Sequence, residues 1–395
     1  MLNIKLNKGE EKEKILGYPW IFNNEVNSFD GEIINGDVCR VNTYDGSFLC
    51  YGFLNTSSKI MVRILSFDEN EVINKEFFRK RISFAIEHRK TLGIIGCCRL
   101  VFSEADNLPG LVVDQYGDYL SVQFMSLGMD KIKKDIVDIL VDLTGCKGIY
   151  ERSDMPVREK EGLEQTKGFL YGNFDTRIKV CENGISFIVD VKEGQKTGYF
   201  LDQKLNRDIL KYYAKDKEVL DCFSNVGGFA LHALKYGAKH VTATDISQKA
   251  CDDIKYNASL NGFNNLDVLC VDVFDFLRND PKTYDVIVLD PPAFTKSKDT
   301  VKKAYKGYLE INTQALKKVR RGGYLLTFSC SQHMTPDLFM QMVNDAAHNA
   351  KKSVRLVDFR VQSPDHPSLL QSESELYLKC LILRIMGSLK LAVDR

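Results

Sequence analysis

The most informative segment of this chain is Val219-Leu220-Asp221-Cys222-Phe223-Ser224-Asn225-Val226-Gly227-Gly228-Phe229. It predicts an apolar strand that ends in an acid, a short loop with two glycines, and a helix behind the loop. Glycine lets the backbone approach a ligand closely, because it has no Cβ atom. The spacing is not G-x-G-x-x-G, so the pyrophosphate-binding fingerprint of a dinucleotide site is absent.

The sequence around this stretch alternates strands with helices from about residue 194 onward. Strands are predicted at 219–221, 241–245, 267–271, 286–290 and 324–328. Thr335 as N-cap and Pro336 at the first helical position mark the helix after the last of them. The pattern is typical of a doubly wound sheet, whose ligands lie at the carboxyl ends of the strands.

Acids stand at three consecutive strand ends, at Asp221, Asp245 and Asp272. Asp245 can accept hydrogen bonds from ribose hydroxyls, and Asp272 can accept from the exocyclic amine of adenine. Any one of these acids can instead be a helix N-cap. The three together, without a phosphate cradle, indicate a nucleoside ligand.

The fourth strand ends in Asp290-Pro291-Pro292-Ala293-Phe294. The prolines fix the backbone, so that the carboxylate and the carbonyls face one pocket. Such a site can bind the Watson–Crick edge of a base that has left its stack. The alternative is a rigid turn after a strand.

The fifth strand ends in Phe328-Ser329-Cys330-Ser331. Methylation of carbon-5 of a pyrimidine needs a nucleophile that first adds to carbon-6. Cys330 is the cysteine placed for this addition, since Cys222 lies in the glycine loop. The alternative is an inert thiol at a strand end.

The remainder of the chain has a different pattern. Short strands at 37–41, 48–53 and 59–65 suit a small barrel. A helix is predicted next, at 75–92. Its charged side chains either contact RNA or form a solvated face, and they include Arg79, Lys80, Arg81, His88, Arg89 and Lys90. A mixed section then predicts strands at 111–113 and 119–124 and a helix near 129–143, and residues 152–172 predict a long turn or a hairpin.

The composition limits the class of protein. Apolar residues make up 44% and charged residues 27%, with a net charge of +1, so binding to nucleic acid needs a local basic patch. The 11 cysteines are scattered without zinc-ligand spacing, and no long apolar run is present. We expect a cytoplasmic protein without a metal centre.

Five stretches resemble the bacterial large-subunit rRNA cytosine-5 methyltransferases that carry an N-terminal PUA module. Gly17–Phe22 is similar to the opening of the PUA domain, and Ser103–Leu111 resembles the central signature of that family. Gly194–Gln203 is similar to the segment that opens the catalytic domain, against the methionine end of the cofactor. Asp290–Pro292 and Phe328–Ser331 complete the match in the right order.

The resemblance implies an α/β chain with a Rossmann-like class I methyltransferase domain at 185–395. It also implies a PUA-like RNA-binding barrel at 1–72 and a small central α/β domain at 73–184. Cys330 would be the nucleophile, and Asp290 would hold the base. The implied contacts of the cofactor, S-adenosylmethionine, are Asp221, Phe223, Ser224, Asn225, Gly227, Asp245, Ile246, Asp272, Val273 and Asp290, with Phe200 and Gln203. The implied substrate is 23S rRNA, and a homo-oligomer is compatible with the sequence.

Two departures from known patterns leave alternatives open. Asn225-Val226 replaces the Tyr-Thr pair that often precedes the glycines of the family. Pro292 stands where the two-cysteine cytosine methyltransferases have a cysteine, so the group that removes the carbon-5 proton is left open. Methylation of a ring or exocyclic nitrogen needs no thiol and is the closest alternative. A non-catalytic RNA-binding assembly factor is a further alternative, and the missing glycine fingerprint disfavours an NAD-dependent oxidoreductase.

Overall fold

A computed structural model of the chain describes residues 1–295, 297–371 and 376–389. The chain folds into two compact units. The first consists of Met1–Val180, Val189–Leu201 and the described part of Pro364–Glu375. The second consists of Cys181–Ile188, Asp202–Ser363 and the described part of Leu376–Arg395. The three domains expected from the sequence, with boundaries after residues 72 and 184, stay a prediction.

The first unit contains two separate sheets. Its strands are β1 (Asn3–Leu6), β2 (Trp20–Phe22), β3 (Val26–Asp30), β4 (Val38–Asn42), β5 (Phe48–Leu54), β6 (Ile60–Ser66), β7 (Cys97–Phe102), β8 (Leu111–Tyr116), β9 (Tyr119–Phe124), β10 (Gly148–Ser153) and β11 (Thr166–Tyr171). Its helices are α1 (Glu11–Ile15), α2 (Lys75–Thr91), α3 (Leu127–Lys131) and α4 (Lys133–Thr144). The sheet orders are β2-β6-β5-β4-β1-β3 and β11-β10-β9-β8-β7.

Buried hydrogen bonds and ion pairs connect these two sheets. They involve two of the segments that resemble the family, Gly17–Phe22 and Ser103–Leu111. Trp20 donates its indole N–H to Glu104 Oε1 at 2.9 Å, and Arg63 donates to the same oxygen at 2.8 Å. Arg63 also donates to Glu161 at 2.9 Å. Replacing Arg63 or its carboxylate partners would leave a buried charge without a partner, which is strongly destabilising. Trp20 and Glu104 therefore serve the scaffold.

The basic residues of α2 were predicted either to contact RNA or to form a solvated face, and they do not all behave alike. Arg89 is fully buried, and its two terminal nitrogens donate hydrogen bonds to the carboxylate of Asp106, at 2.6 and 2.8 Å. The prediction that this side chain is solvated or contacts RNA is wrong for Arg89. Its guanidinium is paired instead with Asp106, which lies in the segment Ser103–Leu111. Lys80, His88 and Lys90 are exposed.

The second unit is built on one large sheet. Its strands are β14 (Glu218–Cys222), β15 (His240–Asp245), β16 (Leu266–Cys270), β17 (Tyr284–Leu289), β18 (Val319–Ser329), β19 (Lys352–Arg360) and β20 (Lys379–Ser388), and its helices are α5 (Lys204–Asp208), α6 (Gly228–Lys235), α7 (Gln248–Leu260), α8 (Val273–Asn279), α9 (Val301–Lys318) and α10 (Pro336–Asn349). A two-stranded sheet of β12 (Arg177–Glu182) and β13 (Ile185–Asp190) contributes residues to both units.

The order of the large sheet is β16-β15-β14-β17-β18-β20-β19. The first five of these strands are parallel, and β20 runs antiparallel to both of its neighbours. The predicted doubly wound sheet is confirmed, with each predicted strand within a few residues of its observed bounds. Its order reverses between β14 and β17, so Cys222 pairs with Thr244 on one side and with Leu289 on the other.

Several local predictions are refined. The helix expected near 129–143 is two helices, α3 and α4, with a break at Ile132. The stretch at 152–172 is a hairpin of β10 and β11 that encloses a short 3-10 helix, Pro156–Glu161. Thr335 caps α10 as predicted, accepting a hydrogen bond from Leu338 N at 3.3 Å. No helix in the described part of the chain is long and apolar enough to cross a membrane.

Candidate active site

The loop between β14 and α6 has an uncommon backbone. Phe223, Asn225 and Gly227 all have positive φ, at 61°, 54° and 89°. Asn and Gly tolerate this region, but a phenylalanine there is strained by about 1–3 kcal/mol, and such strain concentrates at ligand sites. The loop is fixed from outside, because Ser224 N donates to Thr244 O at 3.0 Å. A Cβ atom at position 227 would also lie 3.3 Å from Ile254.

Asp221 lies beneath this loop and is almost completely buried. Its Oδ2 accepts hydrogen bonds from Ser224 Oγ and from Ala230 N, the latter at 2.9 Å. Its Oδ1 is buried and has no hydrogen-bond partner among the described residues. Burial raises the pKa of this carboxyl to about 7, because the charged form is poorly solvated. An orphan carboxylate oxygen at a strand end suits a cationic donor from a ligand.

Asp245 is the last residue of β15, at the same edge of the sheet. Each of its carboxylate oxygens accepts one backbone hydrogen bond at 2.9 Å, from Asn225 N and from Ser247 N. Each oxygen keeps a further lone pair with which it can accept from a ribose hydroxyl. The neighbouring Ile246 is 71% exposed and leaves an apolar surface beside the carboxylate.

Asp272 and Val273 lie beyond β16. Asp272 is the N-cap of α8, with its Oδ1 accepting from Asp275 N at 3.1 Å. The alternative reading of this acid as a helix cap therefore holds, although one carboxylate oxygen stays available for a second role. The Val273 side chain is buried in the core of the sheet, so only its backbone can face a ligand.

Asp290 directly follows β17 and is partly exposed. Gln203 Nε2 donates to Asp290 Oδ2 at 3.0 Å, and the amide of Gln203 is fixed by Asn206 Nδ2, which donates to Gln203 Oε1 at 2.9 Å. Phe200, the other predicted contact from this segment, belongs to the first unit, where the ammonium of Lys196 lies 4.6 Å from its ring centre. The structure thus brings Gln203 and Asp290 together within the second unit.

Cys330 follows β18, the strand next to β17. Leu289 and Thr327 are partners in the parallel pairing, so Asp290 and Cys330 both lie at the carboxyl ends of neighbouring strands. Tyr308 on α9 contacts both residues that flank the cysteine, with its hydroxyl 3.2 Å from Ser329 Oγ and 3.0 Å from Ser331 Oγ. These contacts fix the loop that carries the thiol.

The exposure of the cysteines separates Cys330 from most of the others. Cys330 is partly exposed, whereas Cys222 is completely buried. Burial raises the pKa of the Cys222 thiol, which keeps it protonated and inert. Cys181 is exposed on β12, and Cys270 is exposed at the end of β16, which β15 and β14 separate from β17.

Lys379 is a functional candidate that the sequence prediction missed. It is 1% exposed, at the start of β20, and lies opposite Ser329 in the antiparallel pairing with β18. Its ammonium donates to Ser331 O at 2.7 Å. A lysine inside the apolar run 378–383 was the available signal, because a buried lysine is rare without a specific partner. No cluster of three or more metal-ligating side chains occurs in the ranges that the structure describes.

Two family models match the chain. A PUA-like domain matches residues 4–67, and an S-adenosylmethionine-dependent methyltransferase matches residues 160–384. The second match covers more than half of the chain. The chain is therefore a methyltransferase that uses S-adenosylmethionine, with an N-terminal PUA-like domain.

Relatives match over nearly the full length of the chain. The ribosomal RNA large subunit methyltransferase I of Aliivibrio fischeri strain MJ11 is 39% identical, covering 98% of this chain and 100% of the relative. The enzyme of the same name from Vibrio parahaemolyticus is 41% identical, covering 97% and 99%. That from Aeromonas salmonicida is 40% identical, covering 96% and 98%.

Solved structures show the same fold. A candidate SAM-dependent methyltransferase from Streptococcus mutans superimposes with a TM-score of 0.80 at 23% identity, covering 97% of this chain and all of the other. A candidate methyltransferase complexed with SAH gives a TM-score of 0.81 at 24% identity over the same shares. From the family match and the full-length relatives together, the chain belongs to the S-adenosylmethionine-dependent methyltransferases, in the family of the ribosomal RNA large subunit methyltransferases I.

Proposed function

We propose that this enzyme methylates carbon-5 of a cytosine in 23S ribosomal RNA, with Cys330 as the nucleophile. The position of Cys330 carries the proposal, since its thiol lies at the end of β18 beside the strand end that bears Asp290. The names of the relatives supply the large-subunit RNA as the substrate. The same proposal locates the protein in the cytoplasm, where ribosomal subunits are assembled.

The residues around β14 fit the cofactor. S-adenosylmethionine has an amino group, two ribose hydroxyls and an adenine, and no phosphate. The orphan Oδ1 of Asp221 suits the amino group, and the carboxylate of Asp245 suits the ribose. Ile246 offers an apolar surface to the adenine, and Asp272 offers its remaining carboxylate oxygen to the adenine amine.

The backbone of the glycine loop completes this proposed cofactor site. Phe223, Ser224, Asn225 and Gly227 form the turn around the cofactor, and Val273 contributes its backbone. Gln203 is the proposed contact on the methionine side, and Phe200, which belongs to the first unit, stays a prediction from the sequence. When bound, the cofactor supplies an electrophilic methyl group.

The reaction then divides between two side chains of this chain. Asp290, held by Gln203, accepts hydrogen bonds from the Watson–Crick edge of the extruded cytosine and fixes its plane. The sulfur of Cys330 forms a bond to carbon-6, which makes carbon-5 electron-rich enough to take the methyl group. A base then takes the carbon-5 proton, and the electron pair of that C–H bond re-forms the double bond between carbon-5 and carbon-6. The bond between carbon-6 and sulfur breaks in the same elimination, which restores the aromatic ring and the thiolate.

A basic surface next to this site suits the RNA backbone. Lys302, Lys303 and Lys306 are exposed on the first two turns of α9, which begins ten residues after Pro291. They form no ion pair with the carboxylates of residues 1–295, 297–371 and 376–389. The opposite face of α9 packs into the core and carries Tyr308, which contacts the loop of Cys330. Unpaired lysines beside a base site favour phosphate contacts.

Methylation of rRNA from a strain that lacks the gene tests this function. Purified enzyme and labelled S-adenosylmethionine should place the label in 5-methylcytidine, identified by mass spectrometry of the 23S rRNA nucleosides. Label in an N-methylated nucleoside would replace the carbon-5 proposal with nitrogen methylation. Tight RNA binding without any label would favour a non-catalytic assembly factor.

A further inference from the structure

Lys379 is buried, and its side chain contacts the loop that carries Cys330. Its Nζ donates to two backbone carbonyls, Ser331 O at 2.7 Å and Tyr377 O at 2.8 Å. Ser331 is the residue directly after Cys330, and Ser329, on the other side of Cys330, is the β-pairing partner of Lys379. The lysine is therefore held on both sides of the cysteine by backbone contacts.

Burying an ammonium group is costly unless a negative charge stabilises it. No carboxylate lies within ion-pair distance of Lys379 in the described ranges of the chain. Burial lowers the pKa of Lys379 to about 8, and the interaction with Cys330 acts in the opposite direction. Cys330, which directly precedes the Ser331 carbonyl that Lys379 contacts, carries the acidic group next to this ammonium. Two of the three ammonium protons are engaged with the carbonyls.

The other titratable groups around the pair do not replace this partner. From α9, Tyr308 interacts electrostatically with Cys330, but burial raises the pKa of its hydroxyl, which therefore stays neutral. From the end of β17, Asp290 acts on Cys380, the neighbour of Lys379 on β20. Burial raises the pKa of Cys380 well above the ordinary thiol value, so Cys380 also stays neutral.

We propose that Lys379 is a positioning residue that takes up the proton of Cys330 and holds its sulfur as a thiolate. In this step the S–H bond of Cys330 breaks, the sulfur keeps the electron pair, and the proton forms a new N–H bond on the neutral amine of Lys379. The products are a thiolate and an ammonium, so the net charge of the pair is unchanged. The role of the pair of Cys330 and Lys379 in catalysis rests on the proposed function, since the thiolate is the species that adds to carbon-6 of a pyrimidine.

Alkylation of Cys330 by iodoacetamide as a function of pH tests the proposal without RNA or cofactor. Peptide mass spectrometry measures Cys330 separately from the exposed Cys181, which serves as the internal reference. In Lys379→Met, we expect alkylation of Cys330 at pH 7 to slow at least about tenfold, as a rise of one unit in thiol pKa predicts. Alkylation of Cys181 should be unchanged. Lys379→Arg keeps the positive charge and should stay within about threefold of the wild type.

A profile for Lys379→Met that superimposes on the wild type would overturn the proposal. Should Lys379→Met not fold, the wild-type protein alone decides, since half-maximal alkylation of Cys330 should occur clearly below pH 8.5, the ordinary thiol value. A midpoint at or above that value would also overturn it.

This test is separate from that of the proposed function. A covalent RNA adduct at Cys330 with an unperturbed thiol would refute the role of Lys379 alone. A thiolate at Cys330 in an enzyme that methylates nitrogen would refute the carbon-5 reaction alone.

Discussion

Gln203 donates from Nε2 to Oδ2 of Asp290 at 3.0 Å, and this contact joins the segment that precedes α5 to the end of β17. Asn206 fixes which end of the Gln203 amide faces the acid, because it donates to Oε1 of the same side chain. The carboxylate of Asp290 is therefore held in one orientation before any base arrives. Holding a group in its productive geometry in advance is a general source of catalytic rate.

Gln203→Leu removes this donor while nearly preserving side-chain volume. A lost hydrogen bond to a charged group costs about 1.5–3 kcal/mol, so kcat/KM for RNA methylation should fall about tenfold to a hundredfold. Steady-state methylation of 23S rRNA measures the change. Gln165→Leu is a matched control, since it removes an exposed contact to Glu159 and should leave kcat/KM unaltered. Equal rates for Gln203→Leu and wild type would contradict the role assigned to Gln203.

Cofactor affinity should depend on the ionisation of Asp221. Its pKa is raised to about 7 by burial, so the carboxyl is mostly protonated at pH 6 and mostly ionised at pH 8. A cationic amino group prefers the carboxylate, so S-adenosylhomocysteine should bind roughly tenfold more tightly at pH 8 than at pH 6. Calorimetry in buffers of different ionisation enthalpy should also detect proton release. Asp221→Asn should remove the pH dependence, and a flat wild-type affinity would rule out this account of Asp221.

The lysines of α9 should control the salt dependence of RNA binding. Replacing Lys302, Lys303 and Lys306 by alanine should reduce the slope of log K against log salt by about 2, if each lysine neutralises one phosphate of a single strand. The control replaces three exposed lysines that precede β14, β15 and β17 at the opposite ends of the strands: Lys217, Lys239 and Lys282. Equal slopes for the two triple variants would exclude α9 as the RNA-binding surface.

His232 on α6 should make stability fall in mild acid. Its ring is fully buried, with Nδ1 2.7 Å from Gly228 O and Nε2 3.0 Å from Asn183 Nδ2. Burial lowers its pKa to about 4, below the unfolded value of about 6.5. Its stabilising contribution is therefore complete above pH 6.5 and is lost as the pH falls toward 4.

Between pH 7 and pH 5, the free energy of unfolding of the wild type should drop about 2 kcal/mol more than that of His232→Asn. Urea titrations at the two pH values measure this difference. His240→Asn, at a partly exposed site, should keep the wild-type pH dependence. If His232→Asn and wild type lose stability equally, His232 is not neutral in the folded protein.

The parallel core of the large sheet was predictable because its strands are apolar runs that end in chemically distinct residues. Asp221, Asp245 and Asp290 each follow such a run, and parallel strands place their carboxyl ends at one edge. The edge strands were harder to predict. Strand β19 has no buried residue and mixes polar with apolar side chains, and the edge strand β2 of the first unit has only three residues.

The pairing of distant residues could not be predicted at all. Lys379 follows Cys330 by almost fifty positions, and only the antiparallel insertion of β20 next to β18 brings it to Ser331. Hydrophobic periodicity predicts that a strand exists but not which neighbour it pairs with. The scaffold roles of Trp20 and Glu104 were hidden for the same reason, since they lie 84 residues apart.

The most direct test of the account is whether Cys330 becomes covalently attached to cytosine. A fragment of 23S rRNA transcribed with 5-fluorocytidine should trap the enzyme in the presence of S-adenosylmethionine, because fluorine cannot leave carbon-5 as a proton does. If Cys330 is the nucleophile, the complex survives denaturation, with a mass shift on the peptide that contains Cys330. Cys330→Ala should lose both the complex and methyl transfer yet still bind the cofactor. Normal methylation by Cys330→Ala would contradict the carbon-5 mechanism.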